Sequence, residues 1–135
     1  MRRRHRGWTL VELAVVLVVV GILAAIAYPS YTDQVIKSRR ADGIALLYFA
    51  AQRQQQFFTI NSSFTATIGD GGLQMTAAST EGYYTLSVAA GTTSYTLTAT
   101  PVSPQNADAR CGSLTLNHLG AKGISGGSGT VDDCW

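Results

Sequence analysis

Residues 7–29 read GWTLVELAVVLVVVGILAAIAYP, and the fold of the whole chain follows from how that stretch is interpreted. From Leu13 to Tyr28 it carries no charge and is built almost wholly of Leu, Val, Ile and Ala. As a helix rising about 1.5 Å per residue it spans about 24 Å, and the uncharged continuation to Thr32 brings it to about 30 Å, the thickness of a bilayer's hydrocarbon core. Arg2, Arg3, Arg4, His5 and Arg6 stand on its N-terminal side. Clustered cations stay in the cytoplasm, so this arrangement sends everything after Asp33 across the membrane.

Within the apolar stretch one residue needs an explanation. Glu12 stands where the run begins, with no basic residue at helical spacing inside the run to pair with it. An unpaired carboxylate costs about 2.5 to 3.5 kcal/mol at the centre of a membrane helix and less near the interface. As the first turn of a helix, the position is mildly favoured by the macrodipole. A conventional secretory signal is the competing reading: a basic region, an apolar region and small residues at Ala25 and Ala27, with cleavage after Ala27 leaving a secreted binding domain of 108 residues.

The order Gly7, Trp8, Thr9, Leu10, Val11 and Glu12, followed by the apolar run, resembles the leader junction of type IV prepilins: a short basic leader ending in Gly, an aromatic, Thr, Leu, a variable residue, Glu, then about twenty apolar residues. Trp8 departs from the Phe usual in that family. The resemblance implies that a prepilin peptidase cuts between Gly7 and Trp8 and methylates the new amine of Trp8. It also implies a filament core of packed apolar helices, where the Glu12 carboxylate needs a cation. The free amine of Trp8 on a neighbouring subunit can supply one, and Glu12 then fixes subunit register. Implied partners are the peptidase, other pilin subunits (major and minor), the inner-membrane assembly platform and, before assembly, the inner membrane itself.

The rest of the chain fits one small domain. At 135 residues there is room for a single core plus one extra element, and 46% hydrophobic against 13% charged residues excludes a disordered chain. Beyond the leader, residues 8–135 carry six basic and eight acidic side chains, no signature of a basic nucleic-acid domain. Three segments follow: a basic leader over 1–7, an apolar membrane or filament-core helix over 8–32, and an exported globular head over 33–135. Pro29 removes a backbone donor and disfavours helical geometry at Tyr28, so a kink, a melted turn or a helix end is expected there, with Gly21 a second weak point. From Asp33 to Phe58 the spacing of Ile36, Ile44, Leu47, Ala51 and Phe58 predicts that the helix resumes. Continuous from Trp8 to Phe58 it would measure about 76 Å, so its first half is expected to protrude and to need lipid or other subunits as cover.

Residues 59–82 read as a connecting loop with a turn at Asp70, Gly71 and Gly72. Tyr83–Ala90 and Tyr95–Thr100 read as a hairpin, the second with Tyr95, Leu97 and Ala99 alternating with Thr96, Thr98 and Thr100; Leu114–Asn117 adds a strand. The expected class is α+β: a long N-terminal helix packed on a small antiparallel sheet of three or four strands. Cys111 and Cys134, in an exported chain, are expected to form one bridge pinning a glycine-rich C-terminal loop that cannot pack much by itself. The run Tyr95–Pro101, then Cys111, Gly112, Leu114, Thr115 and Leu116, ending in Asp133, Cys134 and Trp135, resembles the PilE-like minor pilins, which extends the resemblance over nearly the whole chain and implies the pilin fold.

No enzyme is read from this sequence. His118, the one histidine outside the leader, has no Ser, Asp or Cys at a spacing that marks a catalytic partner, and is expected on a strand face. Cys111 and Cys134 with His118, Asp132 or Asp133 lack paired-ligand spacing, so no metal or cofactor is expected. Lys37, Arg39, Arg40 and Arg53 read as a solvated helix face, and Arg110 with Lys122 alone make a weak electrostatic footprint for DNA, although some minor pilins are DNA receptors. The expected function is that of a minor pilin, contributing to pilus assembly and so to twitching motility, adhesion or DNA uptake. A type II secretion pseudopilin shares the leader and helix; the C-terminal cysteine pair favours the pilus subunit.

Overall fold

The structure, a computed structural model, describes residues 8–135. The basic leader 1–7, and with it Gly7 of the expected cleavage junction, lies outside the described residues. The chain divides into two units, one ending at Val35 and the other Ile36–Trp135.

In the first unit, helix α1 (Leu10–Asn61) begins as Thr9 dictates. The Thr9 hydroxyl accepts from the Glu12 N–H at 3.2 Å and its carbonyl from the Leu13 N–H at 3.2 Å, satisfying donors that a helix start otherwise leaves open. Glu12 sits in that first turn, beside the positive end of the helix dipole. α1 is continuous through Gly21 and Pro29, so no turn is melted at Pro29 and the helix does not end there. The Thr32 hydroxyl donates to the Pro29 carbonyl at 2.8 Å.

The second unit holds the rest of α1 and an antiparallel four-stranded meander in the order β1 (Tyr84–Ala90), β2 (Tyr95–Pro101), β3 (Gly112–Asn117) and β4 (Lys122–Gly126), closed by the short helix α2 (Val131–Cys134). Alternation sets the faces. Tyr84 and Leu86 of β1, Tyr95, Leu97 and Ala99 of β2, and Leu114 and Leu116 of β3 are buried, and they meet Leu46, Leu47 and Ala50 of α1. Cys111 and Cys134 are bonded to each other at the end of this core. Gly43 lets α1 approach closely: a methyl group there would stand 2.9 Å from the Tyr84 ring.

The glycine-rich segment after β3 is more ordered than the sequence suggests. It was expected to be a loop, yet Lys122–Gly126 pairs with β3 as a fourth strand. Gly123 makes this possible, because a side chain there would fall 2.5 Å from the Thr115 hydroxyl of the neighbouring strand. His118 likewise lies in the turn beyond β3, its N–H donating to the Tyr95 carbonyl at 3.0 Å, rather than on the strand itself.

The connection between α1 and β1 has little secondary structure but is fastened at both ends. The buried Gln54 amide bonds Thr65 twice, donating to its carbonyl at 2.6 Å and accepting from its N–H at 3.1 Å. Asp42 accepts from the Ser79 hydroxyl and from the N–H groups of Glu81 and Tyr83.

Candidate functional site

Two sets of residues stand out, one in each unit. In the first, the apolar side chains of α1 are open: Leu10 is 84% exposed and Ile26 69%, and the most apolar 18-residue window, of mean hydropathy 2.9, has none of its residues buried. By length and composition this helix is sufficient to cross a membrane. Trp8 is exposed just before it, and Glu12 lies one turn on. The arrangement presents an uncovered apolar surface with a single carboxylate at its N-terminal edge, where a cation brought by another molecule can meet it.

In the second unit, Arg40 and Asp108 form a buried, two-pronged ion pair. Arg40 Nε donates to Asp108 Oδ2 at 2.6 Å and Nη2 to Oδ1 at 2.9 Å, with side-chain exposures of 7% and 1%. Asp108 Oδ1 also accepts from the Cys111 N–H at 3.2 Å, while Arg40 Nη1 reaches the Asp133 carbonyl at 3.4 Å. The pair therefore grips the chain beside both cysteines. Burial by itself would raise the Asp108 carboxyl, but the Arg40 hydrogen bond, the Cys111 N–H and the Arg40 charge outweigh it and hold the group below the usual carboxylate range. The hydrogen bond to Asp108 holds the Arg40 guanidinium above its ordinary value. Next to this pair the Gln105 amide donates to the Ile36 carbonyl at 3.1 Å and to the Tyr84 hydroxyl at 3.2 Å. Burial pushes that phenol up.

Arg40 is thus not part of a solvated basic face, as its neighbours in sequence suggested. Four other cations of the second unit are engaged as well. Arg39 lies 4.6 Å from the centroid of the Tyr83 ring, Arg53 5.1 Å from Phe49, and the Lys122 ammonium 5.2 Å from Trp135. Arg110 pairs with Asp133 at 3.1 Å on the surface. A hydrogen bond from Thr130, then Arg110, keeps the Asp133 carboxyl low, and Thr130 with Asp133 closes a capping box on α2. Asp108 and Gln105 could not have been singled out from one sequence, since their partners lie 68 and 69 residues away.

A family model described as "Type IV minor pilin ComP, DNA uptake sequence receptor" matches residues 29–115, and a model of the prokaryotic N-terminal methylation motif matches residues 2–28. The chain belongs to the type IV pilins. Among relatives of this pilin, a type IV major fimbrial protein FimA of Dichelobacter nodosus is 30% identical over 128 residues, covering 95% of this chain and 75% of FimA. Other FimA sequences of that organism match over 46 residues at 44% identity; those matches cover 34% of this chain and 29% of the relative's length. A solved type IV pilin from Shewanella oneidensis superposes with a TM-score of 0.52 at 26% identity, covering 74% of this chain and 97% of that one. The pilin carries the methylation motif, the long N-terminal helix packed on a four-stranded antiparallel sheet, and the Cys111–Cys134 bridge expected of its C-terminal region.

Proposed function

We propose that this pilin is a minor structural subunit of a type IV pilus, cut between Gly7 and Trp8, methylated at the Trp8 amine and assembled through the first half of α1. One observation carries the reading: the match to the methylation motif, residues 2–28, takes in the start of a helix whose most apolar 18-residue window has no residue buried among the described residues. Such a surface is stable only against lipid or against its own kind. The head, residues 33–135, is then exported from the inner membrane and ends in an extracellular pilus or at its periplasmic base.

Glu12 neutralises the Trp8 amine of a neighbour and so fixes register, and Gly21 and Pro29 are the places where the helix bends or unwinds as subunits pack. Its work is assembly rather than catalysis, with the prepilin peptidase, other pilins and the inner-membrane platform as partners. Intact mass of protein from membranes and sheared fibres tests the processing: a chain starting at Trp8 with one added methyl supports it, and a chain starting at Tyr28 makes the leader an ordinary signal. For Glu12→Ala the expected outcome is normal cleavage and membrane insertion with loss from sheared fibres; wild-type incorporation would remove the register role.

DNA uptake is a second reading, favoured by the description of the family model that matches residues 29–115. Binding would have to draw on Lys37, Arg39, Arg53 and Lys122, the head cations without a carboxylate partner among the described residues. Retention of double-stranded DNA in a gel shift, falling steeply with salt, is the expected sign of it.

A further inference from the structure

Residues 13–27 are Leu, Val, Ile, Ala and one glycine, and as a helix they rise about 22 Å, short of the roughly 30 Å of a bilayer's hydrocarbon core. The boundaries of such a core must therefore fall on what flanks them. On the C-terminal side stand Tyr28, Pro29, Ser30, Tyr31 and Thr32, uncharged and, Pro29 apart, each carrying a hydroxyl; the first charge is Asp33. Tyr28 and Tyr31 are the two tyrosines of the first unit, 73% and 70% exposed, and their spacing of three puts them on one side of α1. From Leu10 the helix rises about 27 Å to Tyr28 and about 32 Å to Tyr31, and the exposed Trp8 stands two residues before Leu10. An aromatic ring with a polar tip thus marks each end of a span of bilayer length. Pro29 points to the same level independently. It has no N–H, so the Ala25 carbonyl loses its helical donor. An unpaired carbonyl is costly in hydrocarbon and readily satisfied where water reaches it, which suits this turn to the edge of the core.

We propose that Tyr28 and Tyr31 anchor α1 in the headgroup layer of a lipid bilayer, opposite Trp8, and so fix the depth at which the helix lies before assembly. Their rings cover the last of the apolar surface while their hydroxyls reach headgroups and water, a combination that aliphatic side chains do not offer. Residues 13–27 cannot set the depth, since a slide by one position exchanges one aliphatic side chain for another. A slide that draws the C-terminal end inward is opposed by the two hydroxyls and the Ala25 carbonyl. A slide the other way is opposed by Trp8 and by the exposure of Ile26 to water. The match between the Trp8–tyrosine span and a bilayer's thickness argues for lipid rather than protein as the partner, because packing against another chain does not require it. The inference rests on the reading that this half of α1 lies in a membrane, and adds its depth.

The test uses the full chain in phosphatidylcholine vesicles whose acyl chains carry bromine either near the headgroup or near the bilayer centre, with quenching of a single tryptophan as the readout. Three chains place that tryptophan in turn: Trp135→Phe keeps Trp8, and a chain with both Trp8→Phe and Trp135→Phe receives either Val18→Trp or Tyr28→Trp. Central bromine should quench the Val18→Trp chain more strongly, and shallow bromine the other two, each by at least twofold. Adding Tyr28→Ala and Tyr31→Ala to the Trp135→Phe chain should change the shallow-to-central ratio at Trp8 at least twofold. If neither lipid quenches the Val18→Trp chain, the membrane reading falls and the anchor with it. If that chain behaves as expected but the Tyr28→Trp chain is quenched equally, more from the centre or not at all, the anchor alone is overturned. An unchanged ratio at Trp8 in the double-alanine variant overturns it too.

Discussion

Asp108→Ala is the most informative single change in the head. It removes the acceptor of two charge-assisted bonds from Arg40, at 2.6 and 2.9 Å, and of one from the Cys111 N–H at 3.2 Å. Arg40 is 6% exposed and Cys111 0%, so water cannot simply replace what is lost. Removing one member of a buried pair typically costs about 3 to 5 kcal/mol, because the other charge stays behind without a partner. For a unit the size of the head that is a drop of roughly 15 to 30 °C in melting temperature. The assay is thermal unfolding of the full chain in detergent, followed by near-ultraviolet circular dichroism. The pH dependence gives a second readout. Because the folded carboxyl lies below its unfolded value, its stabilisation is fully present above the ordinary carboxylate range. It is lost as pH falls through the folded value, and Asp108→Ala should lack that share of the acid-side slope. The double variant Arg40→Met, Asp108→Leu should recover much of the loss, since it buries no charge. A melting temperature for Asp108→Ala within about 3 °C of wild type, less than about 1 kcal/mol, would refute the account of the pair as a clamp on the disulfide segment.

Three further outcomes are expected. Gly43→Ala should lower stability in urea titrations by about 1 to 2 kcal/mol, since overpacking the fully buried Tyr84 ring outweighs the gain of about 1 kcal/mol in helix propensity. Gly72→Ala should be worse, because the new carbon would fall 2.0 Å from the Thr67 carbonyl oxygen, and limited proteolysis should show the α1–β1 connection cleaved faster. Cys134→Ser should cost about 3.5 kcal/mol in the chain-entropy model, for a bridge between residues 23 apart, with the same loss on reduction of the wild-type protein.

The parts of the fold that sequence alone reveals are those governed by local periodicity. Alternating Thr on β2 marked Leu97 and Ala99 as inward, and both are fully buried. The spacing from Ile36 to Phe58 placed the second half of α1, which ends at Asn61. β4 escaped because Lys122–Gly126 has one apolar side chain, Ile124; what lets it pair is the missing side chain at Gly123, whose place the Thr115 hydroxyl of the neighbouring strand takes. Arg40 escaped for a similar reason. In sequence it is one cation of a basic run on a helix, and only the fold brings Asp108 to it. The leader motif, by contrast, is a contiguous pattern recognised by its order, so it is legible without any structure.

The chain has two tryptophans, and they fall in different units: Trp8 at the start of the first, Trp135 in the second. Trp135 is seated, its indole N–H donating to the Gly123 carbonyl at 3.0 Å and its ring edge-on to Tyr48 at 6.1 Å. A Trp8→Phe chain would therefore emit from the head alone, and its colour would follow the seating of the C-terminus on β4 without any attached dye. The converse, Trp135→Phe, would leave Trp8 as the emitter, whose light reports the surroundings of the N-terminal segment instead.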